Sequence, residues 1–383
     1  MHPTMTPFLI LLLSATLSSV AWAQAQWRLV EDLRIGSDEE AMTMFTDIRS
    51  IVAGPRGHIF VLDARPQEIR VFDEAGHFVT LAARKGQGPG EIAGANGMLL
   101  LRDTIWVNDP RNGRWAAWSA VDGKYARQIT IPIPGFGYLW EAGVDAEGRI
   151  LDPITVRTGR TDAKGQPIAE RRLRRVRTSG DAADTVPLPA CTQRNAPAMM
   201  SFSGENPNAG PGQPLNTFIG IPFFPRPVAT MDGRGGFWCS PNDEYVLVHQ
   251  ALGKADTLHT IRMPYTRLQV PSGERDSAIT RVKTSLARYK VVQADYSLVP
   301  TSHPVFSRLD ADDRGQVWAR RTTHSGTPSS FDVYDSGGRR IATVAAAIRF
   351  VPHLPVHVRG DHVYGVALDA DEIPYVVRAR IMR

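Results

Sequence analysis

Residues 47–92 read DIRSIVAGPRGHIFVLDARPQEIRVFDEAGHFVTLAARKGQGPGEI. Apolar residues alternate with polar ones in short runs, and each run ends at Gly, Pro, Asp or Asn. A period of two punctuated by turn residues is the signature of antiparallel strands in a meander. Strands are expected over Ile48–Ala53, His58–Asp63, Ile69–Phe72 and Phe78–Ala82. The breaks between them hold Gly54-Pro55-Arg56-Gly57, Ala64-Arg65-Pro66-Gln67 and Asp73-Glu74-Ala75-Gly76. A lone meander of this size cannot bury both its faces, so it needs neighbours of the same kind.

The neighbours are visible further along. The segment GHIFVLD at Gly57 is echoed by DTIWVND at Asp103, GRILDPI at Gly148, GGFWCSP at Gly235, GQVWARR at Gly315 and DHVYGVA at Asp361. Their first apolar residues, Ile59, Ile105, Ile150, Phe237, Val317 and Val363, lie 46, 45, 87, 80 and 46 residues apart. One four-stranded propeller blade takes roughly 40–50 residues, so the two long intervals each hold one blade and an insertion. The turns recur as well, at Asp145-Ala146-Glu147-Gly148, Asp232-Gly233-Arg234-Gly235 and Asp310 to Gly315. An Asx side chain bonds the local backbone there and Gly accepts positive φ.

The insertions have their own composition. Thr155–Glu170 is polar and reads as a long hairpin loop, and Thr192–Pro227 is rich in Pro, Gly and Asn and reads as an irregular loop. Within it, Phe218–Pro227 (FIGIPFFPRP) reads as a packed loop under the ring. Over Pro271–Lys290, Ala278, Ile279, Val282, Leu286 and Tyr289 recur at helical spacing behind Ser272, an expected N-cap. The last repeat supplies only three strands before Arg383, and Trp27–Ile35 is a strand without a sheet of its own. Letting that run complete the last sheet would close the ring and cover a bare edge.

Ahead of this domain, Phe8–Val20 is apolar and ends at Ala21-Trp22-Ala23, a small-x-small cleavage pattern. Residues 1–23 therefore read as a secretory signal peptide, although Met1–Pro7 carries no Lys or Arg, and 24–383 as one domain. The apolar run is shorter than the 20 or so residues of a membrane span. No membrane segment is expected in the mature chain, which reads as a periplasmic or extracellular monomer. With 44 basic and 39 acidic residues the net charge of +5 is too balanced to argue for nucleic acid. The densest basic run, Arg171 to Arg177, has no aromatic residue for base stacking and reads as one solvated strand. Cys191 and Cys239 can form one disulfide in an exported chain, and a buried Cys is equally at home as a small apolar residue.

The cadence is similar to that of the NHL-repeat and related (TolB-like) six-bladed β-propeller proteins of bacterial envelopes. The likeness is best over GHIFVLDARPQEIRVFDEAGHFV and ARKGQGPGE, and looser over the rest of the mature chain. It implies an all-β fold of six four-stranded antiparallel blades, closed by the N-terminal strand, with one surface helix near 272–290. Such propellers include binding modules, scaffolds, lactonases and lyases, so the site must be argued separately.

Familiar catalytic motifs are missing. Gly86-Gln87-Gly88-Pro89-Gly90-Glu91 has no following Lys-Ser/Thr, so it reads as a crossover between blades rather than a phosphate cradle. There is no GxSxG. Asp310, Asp312 and Asp313 alternate like a calcium loop but lack its later Glu, and no other cofactor is suggested. His353, His357 and His362 are close in sequence, yet Pro352 and Pro355 exclude a helix that would gather them, so no metal ligand is assigned. In a propeller the loops from second to third strand, and those between blades, open on one face around the channel. That face would carry Asp63, Arg65, Arg84, Gln87, Asp109, Arg111, Asn242, Asp243, Arg321 and His324. The set suits a small polar or anionic ligand, or a peptide or protein partner. The expectation is a non-catalytic binding module, with a purely structural interaction module and a metal-dependent lactonase- or lyase-like enzyme as the alternatives. The enzyme would need three or more Asp, Glu, Asn or His side chains converging about 2–2.6 Å from a common point.

Overall fold

A computed structural model of the protein describes residues 25–36, 41–130, 143–161, 167–180, 182–192, 199–206, 212–254, 256–291 and 293–383. The expected leader, residues 1–23, lies outside them. No helix among the described residues is long and apolar enough to cross a membrane.

The chain opens with strand β1 (Ala25–Ile35) and then lays down sheets in order. The first holds β2 (Ile48–Ala53), β3 (Ile59–Asp63), β4 (Glu68–Phe72) and β5 (Phe78–Lys85), with a two-residue β6 (Glu91–Ile92) bridged to β5. The second holds β7 (Gly97–Leu101), β8 (Thr104–Asp109), β9 (Arg114–Ser119) and β10 (Tyr125–Thr130). The third holds β11 (Gly143–Val144), β12 (Ile150–Thr161), β13 (Pro167–Val176) and β14 (Ala182–Pro187). A hairpin of β15 (Met199–Glu205) and β16 (Pro214–Gly220) precedes the next sheet, β17 (Val228–Met231), β18 (Gly236–Ser240), β19 (Val246–Ala251) and β20 (Thr257–Arg262). Helix α1 (Ser272–Leu286) follows, and β21 (Gln293–Ala294) pairs with β15. Then come β22 (Phe306–Ala311), β23 (Val317–Arg321), β24 (Ser330–Tyr334) and β25 (Arg340–Ala346), and finally β26 (His357–Arg359), β27 (His362–Leu368) and β28 (Pro374–Met382).

Strand β1 pairs antiparallel with β28, from Arg28 opposite Met382 to Ile35 opposite Val376, and so gives the last sheet its fourth strand. Its first residues also run parallel to β25, Ala25 opposite Ala342 through Leu29 opposite Ala346. The double pairing fuses two sheets into one of eight strands. The fold is mostly β and of the propeller type.

The second strand of each sheet explains why the repeats read as continuous apolar runs. Successive side chains point to opposite faces, and here both faces are covered by neighbouring sheets. Phe60 and Leu62 enter one cluster with Ile105 and Val107 of the second sheet, while Ile59 and Val61 enter another with Tyr364, Val366 and Val376 of the last. Trp106 turns to Trp115, Ile150 and Val176, Trp238 to Leu247, Phe306 and Val317, and Trp318 to Trp27, Phe331 and Val363. The clusters thus pass from sheet to sheet and return to the first.

One turn is used repeatedly. Oδ1 of Asp73, Asp145, Asp232, Asp312, Asp335 and Asp369 accepts from the amides two and four residues on. The β2–β3 turn has Gly54 in the corresponding place, where a Cβ would lie 2.3 Å from the Ala120 carbonyl oxygen.

Four readings need correction. Thr155–Thr161 is not loop but continues β12, paired against β13 as far as Thr161 opposite Pro167. The Pro- and Gly-rich Thr192–Pro227 region contains the β15–β16 hairpin. Phe218 belongs to that hairpin and is 64 % exposed, while Ile219, Ile221, Phe223 and Phe224 pack as expected of the segment. Pro271, not Ser272, occupies the N-cap of α1, which buries Ala278, Val282 and Leu286. The basic run lies on β13 as a strand, where Arg174 pairs with Asp152 at 2.6 Å and Arg175 pairs with Asp184. Cys191 and Cys239 form a disulfide with Cα atoms 6.2 Å apart, tying a 3-10 turn to β18.

Candidate functional site

Three of the ten residues expected on the ligand face serve the frame instead. Asp63, at the end of β3, is fully buried and accepts from the Thr46 and Asp47 amides and the Thr46 hydroxyl. Asp109, at the end of β8, is equally buried and accepts from the Ala93 and Gly94 amides and from Asn112 Nδ2. Asn242, 2 % exposed, accepts from the Phe306 amide and donates to the Phe306 and Arg226 carbonyls. Each fastens the connection that enters or leaves a sheet. A buried carboxylate or amide so engaged has little left for a ligand.

The glycine-rich crossover is closed in a similar way. Glu91 folds back so that its carboxylate accepts from the Gly88 amide at 2.9 Å and from Arg84 Nε at 3.2 Å. The Gly88 bond, helped by Arg84, holds the Glu91 carboxyl below its ordinary range. A Cβ on Gly86 would meet Glu91 Oε2 at 2.0 Å. The space a phosphate would take is filled by the loop's own carboxylate. Arg114 grips the outside of the same loop through the Gly88 and Glu91 carbonyls, and Asn112 holds that of Gly86.

Beside these clamps lies a cleft of about 340 Å³ between the first two sheets. Arg49, Arg65, Lys85 and Arg111 line it, with Asp47, Gln67 and the backbone of 93–96. Arg49 is neutralised by Asp47 at 2.9 Å. Among the described residues no carboxylate pairs with Arg65, Lys85 or Arg111. Gln67, in the left-handed region at φ 60°, donates to the Ala64 carbonyl and accepts from the Ala95 amide, which sets the floor. Gly94 is required by close approach, because a Cβ there would meet the Arg111 stem at 2.6 Å. The arrangement concentrates positive charge in a concave surface, which favours anions. Gln87 is exposed on the crossover loop and Arg84 is turned to Glu91, so neither lines this cleft.

A second cleft, about 280 Å³, is lined by Tyr265, Leu268, Arg321, Thr322, Thr323, His324, Thr327 and Ser330. Beneath it Asp332 is fully buried, accepting from the Tyr245 hydroxyl at 2.6 Å and from Thr343, with Arg321 and Arg340 at 3.6 and 3.4 Å. Burial and the Asp332 charge raise the Tyr245 hydroxyl far above its ordinary pKa, and burial pushes Tyr334 up to about 12. Both phenols therefore stay protonated and act as donors. Asp243 is half-buried and lines neither cleft.

Next to this cleft three side chains from separate segments meet. Glu274 stands in the first turn of α1, His303 follows the connection from that helix, and His324 lies in the loop from β23 to β24. One ligand atom from each lies within 4.8 Å of the others. Arg275 docks the helix start by donating to the Val299 carbonyl at 2.9 Å. The His303 amide bonds the Leu268 carbonyl, and the Thr327 amide and hydroxyl hold the His324 carbonyl. His303 is 6 % exposed, packs edge-on against Phe223, and stands 3.7 Å from Glu274. Burial keeps its imidazole below the ordinary histidine range, opposed by Glu274 and assisted by His324.

Of this trio only His324 was legible, and then as a loop residue. Glu274, His303 and His324 have no common motif or spacing, and a buried His before a proline carries no sequence signal. The histidines that are close in sequence do not gather. His353 is exposed, His357 stands against Tyr364, and His362 pairs with Asp32 at 3.3 Å. The acids of the calcium-like run also diverge. Asp310 pairs with Arg308 and Arg320, Asp312 accepts from the Arg314 and Gln316 amides, and Asp313 accepts from the Gly360 amide.

No protein-family model and no curated protein matches the chain. Solved structures do. A member of the DUF4221 family from Bacteroides vulgatus is similar with a TM-score of 0.52 at 11 % identity, over 94 % of this chain and 100 % of that one. A Bacteroides fragilis protein described as exported is similar with a TM-score of 0.50 at 11 % identity, over 93 % and 96 % of the two chains. At that identity the likeness is one of fold.

Proposed function

We propose that residues 24–383 form a single six-bladed β-propeller, exported and monomeric, that binds a small anionic ligand in the basic cleft between its first two blades. The observation that carries the ligand class is the presence of Arg65, Lys85 and Arg111 around one concavity, without carboxylate partners among the described residues. A purely structural role gives no reason to gather three such cations where Asp63, Gln67 and Asp109 fasten the surrounding backbone. Export is supported by the leader pattern of residues 1–23 and by the similar Bacteroides fragilis protein described as exported. The six-blade reading is supported by the repeat anchors and by β1 completing the last sheet. A ligand-affinity panel tests the function. Carboxylates and phosphates bind and raise the melting temperature by mass action, and neutral isosteres do not. Equal binding of neutral isosteres would overturn the reading.

A second reading, a metal-dependent hydrolase or lyase, is favoured by one observation only, the convergence of Glu274, His303 and His324 beside the second cleft.

A further inference from the structure

Two nitrogens in the second cleft region have no hydrogen-bond partner among the described residues. They are Nε2 of His303 and Nδ1 of His324, and both atoms are buried. The nearest carboxylate oxygen to His303 Nε2, Glu274 Oε2, lies 3.7 Å away, beyond hydrogen-bond reach. Buried polar atoms are satisfied in the great majority of cases, so unpaired nitrogens beside a carboxylate call for an occupant. A cation is satisfied when each imidazole carries its proton on the other ring nitrogen, which leaves a lone pair on His303 Nε2 and on His324 Nδ1 beside the Glu274 carboxylate.

We propose that Glu274, His303 and His324 bind one divalent transition-metal cation of the zinc class, with a remaining coordination position open to the cleft of Arg321 and Thr322. The donor set decides the class. Two imidazole nitrogens and one carboxylate suit zinc or its first-row neighbours, whereas calcium takes six to eight oxygens. Tetrahedral ligands at the usual zinc distances are about 3.4 Å apart, so atoms already within 4.8 Å need to approach by about 1.4 Å at most. Three protein ligands leave a fourth position, and His324 belongs both to the cluster and to the cleft wall. Among the described residues no other three His, Cys, Asp or Glu side chains bring ligand atoms this close. The site is independent of the basic cleft, whose cations come from other segments.

The test uses the purified protein stripped of metal and dialysed against zinc sulfate, then against cobalt chloride. One zinc per chain is expected, with the visible absorption of low-coordinate cobalt(II) and a higher melting temperature than the metal-free protein. Glu274→Gln and His324→Gln should each weaken zinc binding at least tenfold and remove the thermal shift, while their metal-free circular dichroism and melting match the parent. His77→Ala, at an exposed histidine, should leave uptake unchanged. Failure of the parent to take up zinc, or equal uptake by both variants, overturns the proposal.

Discussion

The basic cleft and the histidine–glutamate cluster are built from different kinds of chain. The first is assembled from the second-to-third-strand turns and crossover of two regular repeats, at Arg65, Lys85 and Arg111. The second draws on a helix inserted between sheets, the segment that returns from it, and one ordinary repeat loop. In the regular part, register along the repeat already tells which loops share a face. In the inserted part, proximity exists only once α1 is docked by Arg275 and the 301–303 segment is paired with 268–270.

Removing a clamp under one cleft should leave the other intact. Asp109→Ala leaves the Ala93 and Gly94 amides unpaired and the buried Arg114 without its carboxylate neighbour at 3.9 Å. A cost of about 3 kcal/mol is expected in urea unfolding. Anion binding at the basic cleft should fall with it, while zinc uptake by the surviving folded protein is retained. Loss of less than about 1 kcal/mol would show that Asp109 is not a clamp.

Acid should strain the frame without distinguishing the clefts. Burial, with Arg359 nearby, pushes the His357 imidazole down to about 4. Its neutral form is therefore the folded form. The stability it contributes is intact above the unfolded histidine pKa of about 6.5 and is lost as pH falls toward 4. The upper bound is about 3 kcal/mol, and His357→Gln should flatten the urea midpoint across that window. An unchanged pH profile in the variant would remove His357 as the cause.

At the basic cleft, Arg65→Ala and Arg111→Ala each delete one charge-assisted contact, worth about 2 kcal/mol, or roughly thirtyfold in affinity. Zinc uptake should not move. If either substitution changed metal binding, the two sites would not be separate.

The smallest effect is expected at the crossover. Gly86→Ala forces the Glu91 carboxylate out of the loop, and because that carboxylate is the far end of a flexible side chain the cost is about 1 kcal/mol. Loss of the Gly88 bond should return Glu91 toward ordinary acidity, which a carboxyl titration by NMR would read.

How far the sequence reached follows from the same physics. The second strands were legible because both their faces are buried, so IFVL and IWV stand out as uninterrupted apolar runs. The Asp-x-x-Gly turns were legible because one side chain serves two amides at fixed offsets. The β15–β16 hairpin was not, because its strands carry Ser, Gly, Asn and Pro and owe their pairing to β21 and to packing with Ile219 and Phe202 on α1 and its flanks. Of the residues expected on the ligand face, Arg65 and Arg111 line one cleft. Asp63, Asp109 and Asn242 were misread, since loop position does not reveal that a side chain turns inward. Glu274 and His303 were invisible.

Anion binding at the basic cleft is tested most directly by calorimetric titration of the protein with citrate and with inorganic phosphate, alongside Arg65→Ala/Arg111→Ala. Saturable binding of at least one of them is expected, weakening as salt rises, with its loss in the double variant while folding and zinc uptake are preserved. Equal affinity in the double variant, or binding that ignores salt, would contradict it.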